Sequence, residues 1–190
     1  MKLTIIERGD YFCYLDGEHD EKAWIYRCCL TGGGRLGYKW AFKANEAAIF
    51  DANDLKVGSI YFWLRIFHPH EFHFELENNQ KIKVQFENKW KPFPFTFIYN
   101  HYLYRIVGHR GHYRILYKND VQVASFDKNV FSFLNRDCFT TYAEAEINKV
   151  LLFILSIFDD IWESDDSTIT YDVGDLSYSK PPNNKNWRPK

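Results

Sequence analysis

The sequence lacks the features that mark most secreted, membrane-spanning and enzymatic proteins. Charges at Glu7, Arg8 and Asp10 fall where a signal peptide has an uninterrupted apolar region. No stretch approaches the roughly 20 apolar residues that a membrane-spanning helix needs. The hydrolase and metalloprotease motifs GxSxG and HExxH are absent. We therefore expect a monomeric cytoplasmic protein that has no membrane-spanning segment and no cofactor, and that is not an enzyme.

Cysteine is scarce as well, with four residues at Cys13, Cys28, Cys29 and Cys138 that form no CxxC pair. The adjacent Cys28 and Cys29 would point to opposite faces of a strand. This pattern predicts reduced, semi-buried thiols and excludes a disulfide framework.

Aromatic side chains, in contrast, are abundant. Seventeen Phe, thirteen Tyr and six Trp make up 19% of the 190 residues. Aromatic residues favour pleated, half-buried surfaces, so this composition favours a sheet over a helical bundle. The length suits one domain with a single sizeable core.

The clearest strand signal is a hairpin at 71–87, where apolar and polar residues alternate on both sides of a polar turn. Residues 44–58 are less patterned, and we expect a helical turn or a wide loop there. So many short strands at near-regular spacing predict a sandwich or a closed barrel. The other predicted strands lie at 3–6, 11–15, 23–30, 37–43, 60–67, 95–99, 102–107, 113–117, 121–126 and 169–173.

One segment near the end of the chain differs in kind. Residues 150–158 (VLLFILSIF) are apolar except for Ser156, and a helix that is apolar all round must be buried on all sides. Thr141 and Glu144 fit a capping box just before it. A nine-residue apolar run also suits a strand, but the cap and the total length favour a helix at about 141–162.

These patterns predict a mainly β fold, a closed antiparallel β-barrel around a buried C-terminal central helix. The alternative is a β-sandwich with one packed helix. We expect a single domain at 1–176. Residues 179–190 are rich in Pro and Asn and have only Trp187 to bury, which predicts an extended or disordered tail at 177–190.

The C-terminal third resembles the tubby-like superfamily, with its LURP-one-related and phospholipid-scramblase branches. The segment 113–128 (YRILYKNDVQVASFDK) is similar to the family's late hairpin, and 150–160 is similar to its central helix. The resemblance implies a closed barrel of about a dozen strands around that helix and no common enzymatic activity. Some members bind phosphoinositides. The membrane-spanning helix and cysteine cluster of the scramblases have no counterpart here.

The middle of the chain is basic. Residues 81–118 hold eight basic side chains and one acidic one, whereas the flanking regions are acidic. If several share one face they form a site for an anionic ligand such as a phospholipid headgroup; the alternative is that strand alternation scatters them among acidic partners. The basic block comprises Lys81, Lys83, Lys89, Lys91, Arg105, Arg110, Arg114 and Lys118. Within it, we predict that the ligand-binding residues are Arg105, His109, Arg110, His112 and Arg114.

Two clusters contain the residue types that bind metals. His68, His70, Glu71 and His73 provide imidazoles with a carboxylate, but polar positions at a hairpin rim explain them more simply. Five acidic residues within 159–166 suit Ca²⁺, but they lack the DxDxDG pattern and are typical of a solvated loop. We predict no metal site.

Two functional hypotheses follow. The first is a non-catalytic tubby-like domain that binds an anionic lipid headgroup or a similar ligand. The second is a protein-interaction module, of the immunity or adaptor type, that uses exposed apolar residues. Nucleic acid is not an expected partner. A clustered basic face would favour the first hypothesis, and a large exposed apolar patch would favour the second.

Overall fold

The computed structural model describes residues 1–8, 11–16, 24–31, 45–63, 71–76, 80–87, 93–109, 113–129, 138–163 and 187–189. These residues form a mainly β fold with one α-helix, α1 (Lys149–Glu163), which confirms the predicted fold class at that level. The strands are β1 (Lys2–Arg8), β2 (Tyr11–Asp16), β3 (Trp24–Thr31), β4 (Asn45–Asp51), β5 (Lys56–Trp63), β6 (Glu71–Leu76), β7 (Gln80–Lys83), β8 (Gln85–Phe86), β9 (Phe95–Tyr99), β10 (Tyr102–His109), β11 (Tyr113–Lys118), β12 (Val121–Asn129) and β13 (Cys138–Ala143).

Every described strand pairs antiparallel with its neighbours, in the order β7-β6-β5-β4-β3-β2-β1-β13-β12-β11-β10-β9-β8. Neighbours in this order are mostly consecutive in sequence, as expected for a meander of hairpins. The first and last strands of the order, β7 and β8, are separated along the chain only by Val84. The Val84 amide donates to the Phe72 carbonyl in β6 at 3.1 Å, whereas Gln85 and Phe86 pair with β9.

The strands have an inner face, which packs on α1, and an outer face. In β9, Phe95 and Phe97 are buried on the inner face, and Thr96 and Ile98 alternate with them on the outer face. In the predicted hairpin, Phe74 is opposite Ile82, and both side chains are buried. The period-2 alternation read from the sequence is confirmed here.

The helix forms the centre of the core. Residues 150–158 are all buried, with at most 1% of any residue exposed, so the prediction of a helix buried on every side is confirmed. The Phe158 ring lies 4.9 Å from that of Phe95 and 5.0 Å from that of Phe72, measured between centroids. In β5, a Cβ at Gly58 would lie 2.9 Å from Cγ1 of Val150, so glycine permits this close approach of sheet and helix.

The predicted start of the helix is wrong. Thr141 lies in β13, and α1 begins at Lys149 rather than near 141. The cap is Asn148, whose Oδ1 accepts a hydrogen bond from the Leu151 amide at 2.9 Å. Thr141 is buried, and its Oγ1 lies 3.0 Å from Oγ of Ser156 on the helix. The Thr-x-x-Glu pattern therefore marks the end of a strand.

The structure also changes the prediction for residues 44–58. The region 44–58, expected to be a helical turn or a wide loop, contains all of β4, the turn to β5 and the start of β5. The turn is held by Asp51, whose Oδ1 accepts the Leu55 amide at 2.9 Å. The predicted strands at 37–43 and 169–173 lie outside the described residues. So do residues 177–186 and 190 of the predicted tail, while 187–189 have no regular secondary structure.

Candidate functional site

Arg105, the first of the predicted ligand-binding residues, lies on the outer face of β10. Its Nε donates to Oε1 of Glu87 at 2.8 Å, and each side chain is about one-third exposed or less. Because Arg105 shares its face with the apolar Leu103 and Val107, the sequence predicts that its guanidinium lies either near a barrel end or beside an acidic partner. The structure confirms that partner and identifies it as Glu87.

Arg114 lies on the opposite face. It is 2% exposed, and its guanidinium carbon is 5.0 Å from the centroid of the Phe93 ring. Nη1 approaches the Ser156 carbonyl of α1 at 3.4 Å. The expectation that Arg105 and Arg114 flank one surface rim is therefore wrong, because Arg114 is oriented towards the helix.

The other three predicted residues lie around the turn after β10. His109 is half-buried on the outer face, with its ring centroid 6.1 Å from that of Tyr113. Arg110 and His112 lie outside the described residues. Ligand binding by the five predicted residues stays a prediction. Arg105 and His109 share the outer face of β10, whereas Arg114 lies on the inner face of β11.

The remaining described cations of the basic block are also dispersed. The Lys118 Nζ donates to Oε1 of Glu146 at 3.0 Å and lies 4.1 Å from the centroid of the Tyr102 ring. The hydrogen bond to Glu146 is the main reason why the pKa of Lys118 is raised. Lys81 and Lys83 are exposed on β7, and Lys89 and Lys91 lie outside the described residues. The alternative prediction, that strand alternation scatters the basic residues among acidic partners, is correct for Arg105 and Lys118.

The histidine cluster is represented by His73 alone, since His68 and His70 lie outside the described residues and the side chain of Glu71 is not described. The His73 ring stacks on Tyr61, with centroids 4.7 Å apart and an interplanar angle of 15°. Burial lowers the pKa of His73, and the charge of Lys81 lowers it further. In the described part of the chain no three His, Cys, Asp or Glu side chains are grouped to hold a metal ion.

A polar cluster on the outer face of β4 and β5 has the residue types of a catalytic site. Oε1 of Glu46 accepts hydrogen bonds from Lys56 Nζ at 2.5 Å and from Ser59 Oγ at 2.7 Å. Ser59 is fully buried, so its hydroxyl is not accessible to a substrate. Burial raises the pKa of Glu46, but the hydrogen bonds from Lys56 and Ser59 outweigh it, and the pKa is lowered. This arrangement stabilises an ion pair and does not activate a nucleophile.

The most distinctive exposed feature lies where two neighbouring hairpins turn. Ile98 is 66% exposed and Leu103 is 51% exposed, and the two residues are directly opposite each other in the β9–β10 ladder. Tyr102 and Val121, near the same turns, are 44% and 65% exposed. The strand register places Tyr102 and Val121 on the other face, opposite Tyr99 and Lys118 respectively. We call Ile98 and Leu103, which share the outer face, the double-hairpin surface.

The backbone beneath this surface is rigidly constructed. The two turns, Asn100-His101 and Asn119-Asp120, have positive φ at both positions, the geometry of type I′ two-residue hairpins. The Asn119 amide donates to the Leu103 carbonyl at 2.9 Å, and Oδ1 of Asn119 accepts the Leu103 amide at 3.1 Å. These bonds tie one hairpin to the other, so the exposed apolar side chains stand on a preorganised support.

The sequence analysis missed this surface, although it contained a signal for it. Asn100-His101 and Asn119-Asp120 each separate two predicted strands by two residues, and such tight turns fix the register of the strands beside them. That register places Leu103 across from Ile98 on the face of Arg105. An apolar pair on a face that also carries a charge indicates an exposed patch.

No family model, no curated protein and no solved structure matches the chain. Among the described residues, no helix is long and apolar enough to span a membrane.

Proposed function

We propose that this protein is a non-catalytic binding domain that engages another protein through the double-hairpin surface. The observation that carries the proposal is the exposure of Ile98 and Leu103 side by side on one face. Single exposed apolar residues are common, but adjacent ones that extend into a patch are typical of interaction sites. The rigid turns reduce the entropy lost when such a patch is covered.

The charges around this surface favour an apolar partner over an anionic one. Arg105 is paired with Glu87, and Lys118 is paired with Glu146, so these two cations of β10 and β11 are balanced by anions. A surface of this kind recognises its partner through burial of apolar area, which depends weakly on salt. The partner's contact surface should accordingly be apolar and nearly uncharged.

The proposal includes an architecture. We propose that the sheet closes into a barrel around α1, as the tubby-like resemblance implied. Its support is the segment 80–86, which pairs with β6 through its first half and with β9 through its second. One continuous strand that joins both ends of the strand order would close the sheet. A closed barrel would explain why α1 is buried on every side.

Photo-crosslinking from the surface tests the binding proposal. A benzoylphenylalanine at Leu103 should form a discrete adduct with a protein in cells that express the native gene, and the Ile98→Ser change should abolish it. Leu55, which is 63% exposed in the β4–β5 turn, provides the control. The same crosslinker at Leu55 should give no such adduct, and Leu55→Ser should leave the Leu103 adduct unchanged.

The purified partner then gives the quantitative test. Ile98 and Leu103 together expose about as much apolar area as one fully exposed side chain, and covering that area contributes about 2 kcal/mol to binding. The double change Ile98→Ser with Leu103→Ser should therefore weaken the affinity about 30-fold. Binding should change little between low and high salt. An adduct that survives Ile98→Ser would refute the proposal. Adhesion to anionic vesicles that weakens steeply with salt and is lost in Arg110→Ala would instead support the headgroup hypothesis.

A further inference from the structure

Three tyrosines and an ion pair lie together on the inner face, where the β9–β10 and β11–β12 hairpins turn. Tyr99 is opposite Tyr102, and Tyr104 is opposite Lys118, in the strand ladders. Residues that are opposite each other or two positions apart share a face, so these four side chains lie on the side of the sheet away from the double-hairpin surface. Glu146, between β13 and α1, accepts the 3.0 Å hydrogen bond from Lys118. We call these five residues the tyrosine cluster.

The tyrosine cluster has a buried end and an exposed end. At the buried end, Tyr104 is 4% exposed, and its ring centroid lies 6.3 Å from that of Tyr99. At the exposed end, Tyr102 is 44% exposed, and the side chain of Glu146 is 66% exposed. The Lys118 ammonium lies 4.1 Å from the centroid of the Tyr102 ring and so connects the two ends.

Several polar atoms of the cluster have hydrogen-bonding capacity that the described part of the chain does not use. Burial raises the pKa of Tyr104, and the charge of Lys118 acts in the opposite direction, but no described residue forms a hydrogen bond with the Tyr104 hydroxyl. An ammonium has three donors, and Oε1 of Glu146 accepts from that of Lys118. Oε2 of Glu146 has no partner among the described residues. The cluster therefore presents donors and acceptors side by side.

We infer that the tyrosine cluster is a binding site for a neutral, polyhydroxylated ring, that is, for a saccharide. Lys118 and Glu146 neutralise each other, so the pair does not select a charged ligand. A donor next to an acceptor matches two adjacent hydroxyls of a sugar, and bonds to charged groups are the strong ones. The exposed Tyr102 ring provides a platform for the C–H groups of the sugar, and the Tyr104 hydroxyl provides a further hydrogen bond.

A free amine is the strongest competing ligand, because aromatic rings next to a carboxylate also bind cations. In this protein the chain's own Lys118 already lies in that position, over the Tyr102 ring and bonded to Glu146. The hydrogen bond to Glu146 raises the pKa of Lys118, which keeps the ammonium charged. A second cation beside it would be repelled, so a neutral ligand is favoured.

Saturation-transfer NMR on the full chain tests the inference. The probes are the neutral methyl glycosides of glucose, galactose, mannose and N-acetylglucosamine, and at least one should receive saturation from the protein. Tyr104→Phe removes one hydroxyl and Tyr102→Ala removes the exposed ring, and each should weaken binding of that glycoside about two- to tenfold. Ile98→Ser, on the other face of the same hairpin, is the matched control and should leave the affinity unchanged.

Two charged probes separate the other classes of ligand. Choline and methyl phosphate should receive no saturation, and tighter binding of either one than of every glycoside would overturn the inference. Absence of transfer to all four glycosides would overturn it as well. So would an equal loss in Ile98→Ser, because it would place the sugar on the outer face. Tyr102 is exposed, so Tyr102→Ala still tests the site if Tyr104→Phe does not fold.

Discussion

The packing of Phe158 provides the most demanding test of the core. Phe158 is completely buried, and five phenylalanine rings surround it at centroid distances of 4.9 to 6.2 Å. A Phe→Ala change in a core costs about 3–5 kcal/mol, the larger values applying where the cavity cannot collapse. Four of these rings are fixed on the strands β6, β8 and β9 and cannot move far, so we expect a loss of about 4–5 kcal/mol.

Urea and thermal unfolding of Phe158→Ala measure this loss. For a chain of this size, 1 kcal/mol lowers the thermal midpoint by about 2–4 °C, so a fall of about 8–20 °C is expected. Ile98→Ala, a change at an exposed residue, should stay within about 0.5 kcal/mol of the unmodified protein. If Phe158→Ala is insoluble, Phe158→Leu replaces it and should give a smaller loss in the same direction. A loss below about 1 kcal/mol would refute the idea that the helix is held by a rigid aromatic shell.

Three further predictions concern stability. Leu152→Asp should abolish folding, because it places an unpaired charge in the core; a soluble variant that unfolds cooperatively would contradict the buried helix. Asn148→Ala should cost about 1 kcal/mol in urea unfolding, because it removes the side-chain cap of the Leu151 amide; no loss would show that the cap is dispensable. Because the pKa of Glu46 is lowered in the folded state, its contribution is present above the unfolded pKa and is lost as the pH falls through the folded one. Unfolding free energies of Glu46→Gln and the unmodified protein should therefore differ at neutral pH and converge in acid, and a constant difference would exclude this linkage.

The hairpins and the apolar stretch of the helix were predictable because their signals are local. At 71–87 the alternation of residues along each strand reports the face directly, and the observed pairing of His73 with Lys83 and of Glu75 with Lys81 follows from the same register. The run 150–158 has no polar side, so burial on all sides was required whatever surrounds it. In both cases the pattern leaves one geometric solution.

The start of the helix was less predictable, because two local signals compete there. Thr141 and Glu144 have the spacing of a capping box, but Thr141 is in β13, paired with Leu3 of β1 and Phe126 of β12. Pairing with strands from both ends of the sequence is a long-range effect, which a local motif does not register. The observed cap, Asn148, lies directly before the first helical residue, Lys149, and asparagine is one of the residues that favour this position.

The candidate site was predicted poorly because the density of charge along a chain does not specify a face. Alternation alone assigns Arg114 to the face of Leu116 and Arg105 to the opposite one, and both assignments hold in the structure. Alternation does not predict that the interior contains groups that can accept the Arg114 guanidinium. Phe93 supplies an aromatic face and Ser156 a carbonyl from α1, and neither is near Arg114 in sequence.

The environment of Arg114 also depends on a glycine in the neighbouring strand. Gly108 lies within β10, directly opposite Arg114 in the ladder with β11. A Cβ there would stand 3.1 Å from Cβ of Phe93, so the absence of a side chain leaves room for the ring that covers the guanidinium. Because Arg114 is oriented inward in this way, Arg105 is the only arginine that the described residues of β10 and β11 place on their outer face. The apolar character of the neighbouring double-hairpin surface follows in part from this arrangement, and so does the expectation that its binding resists salt.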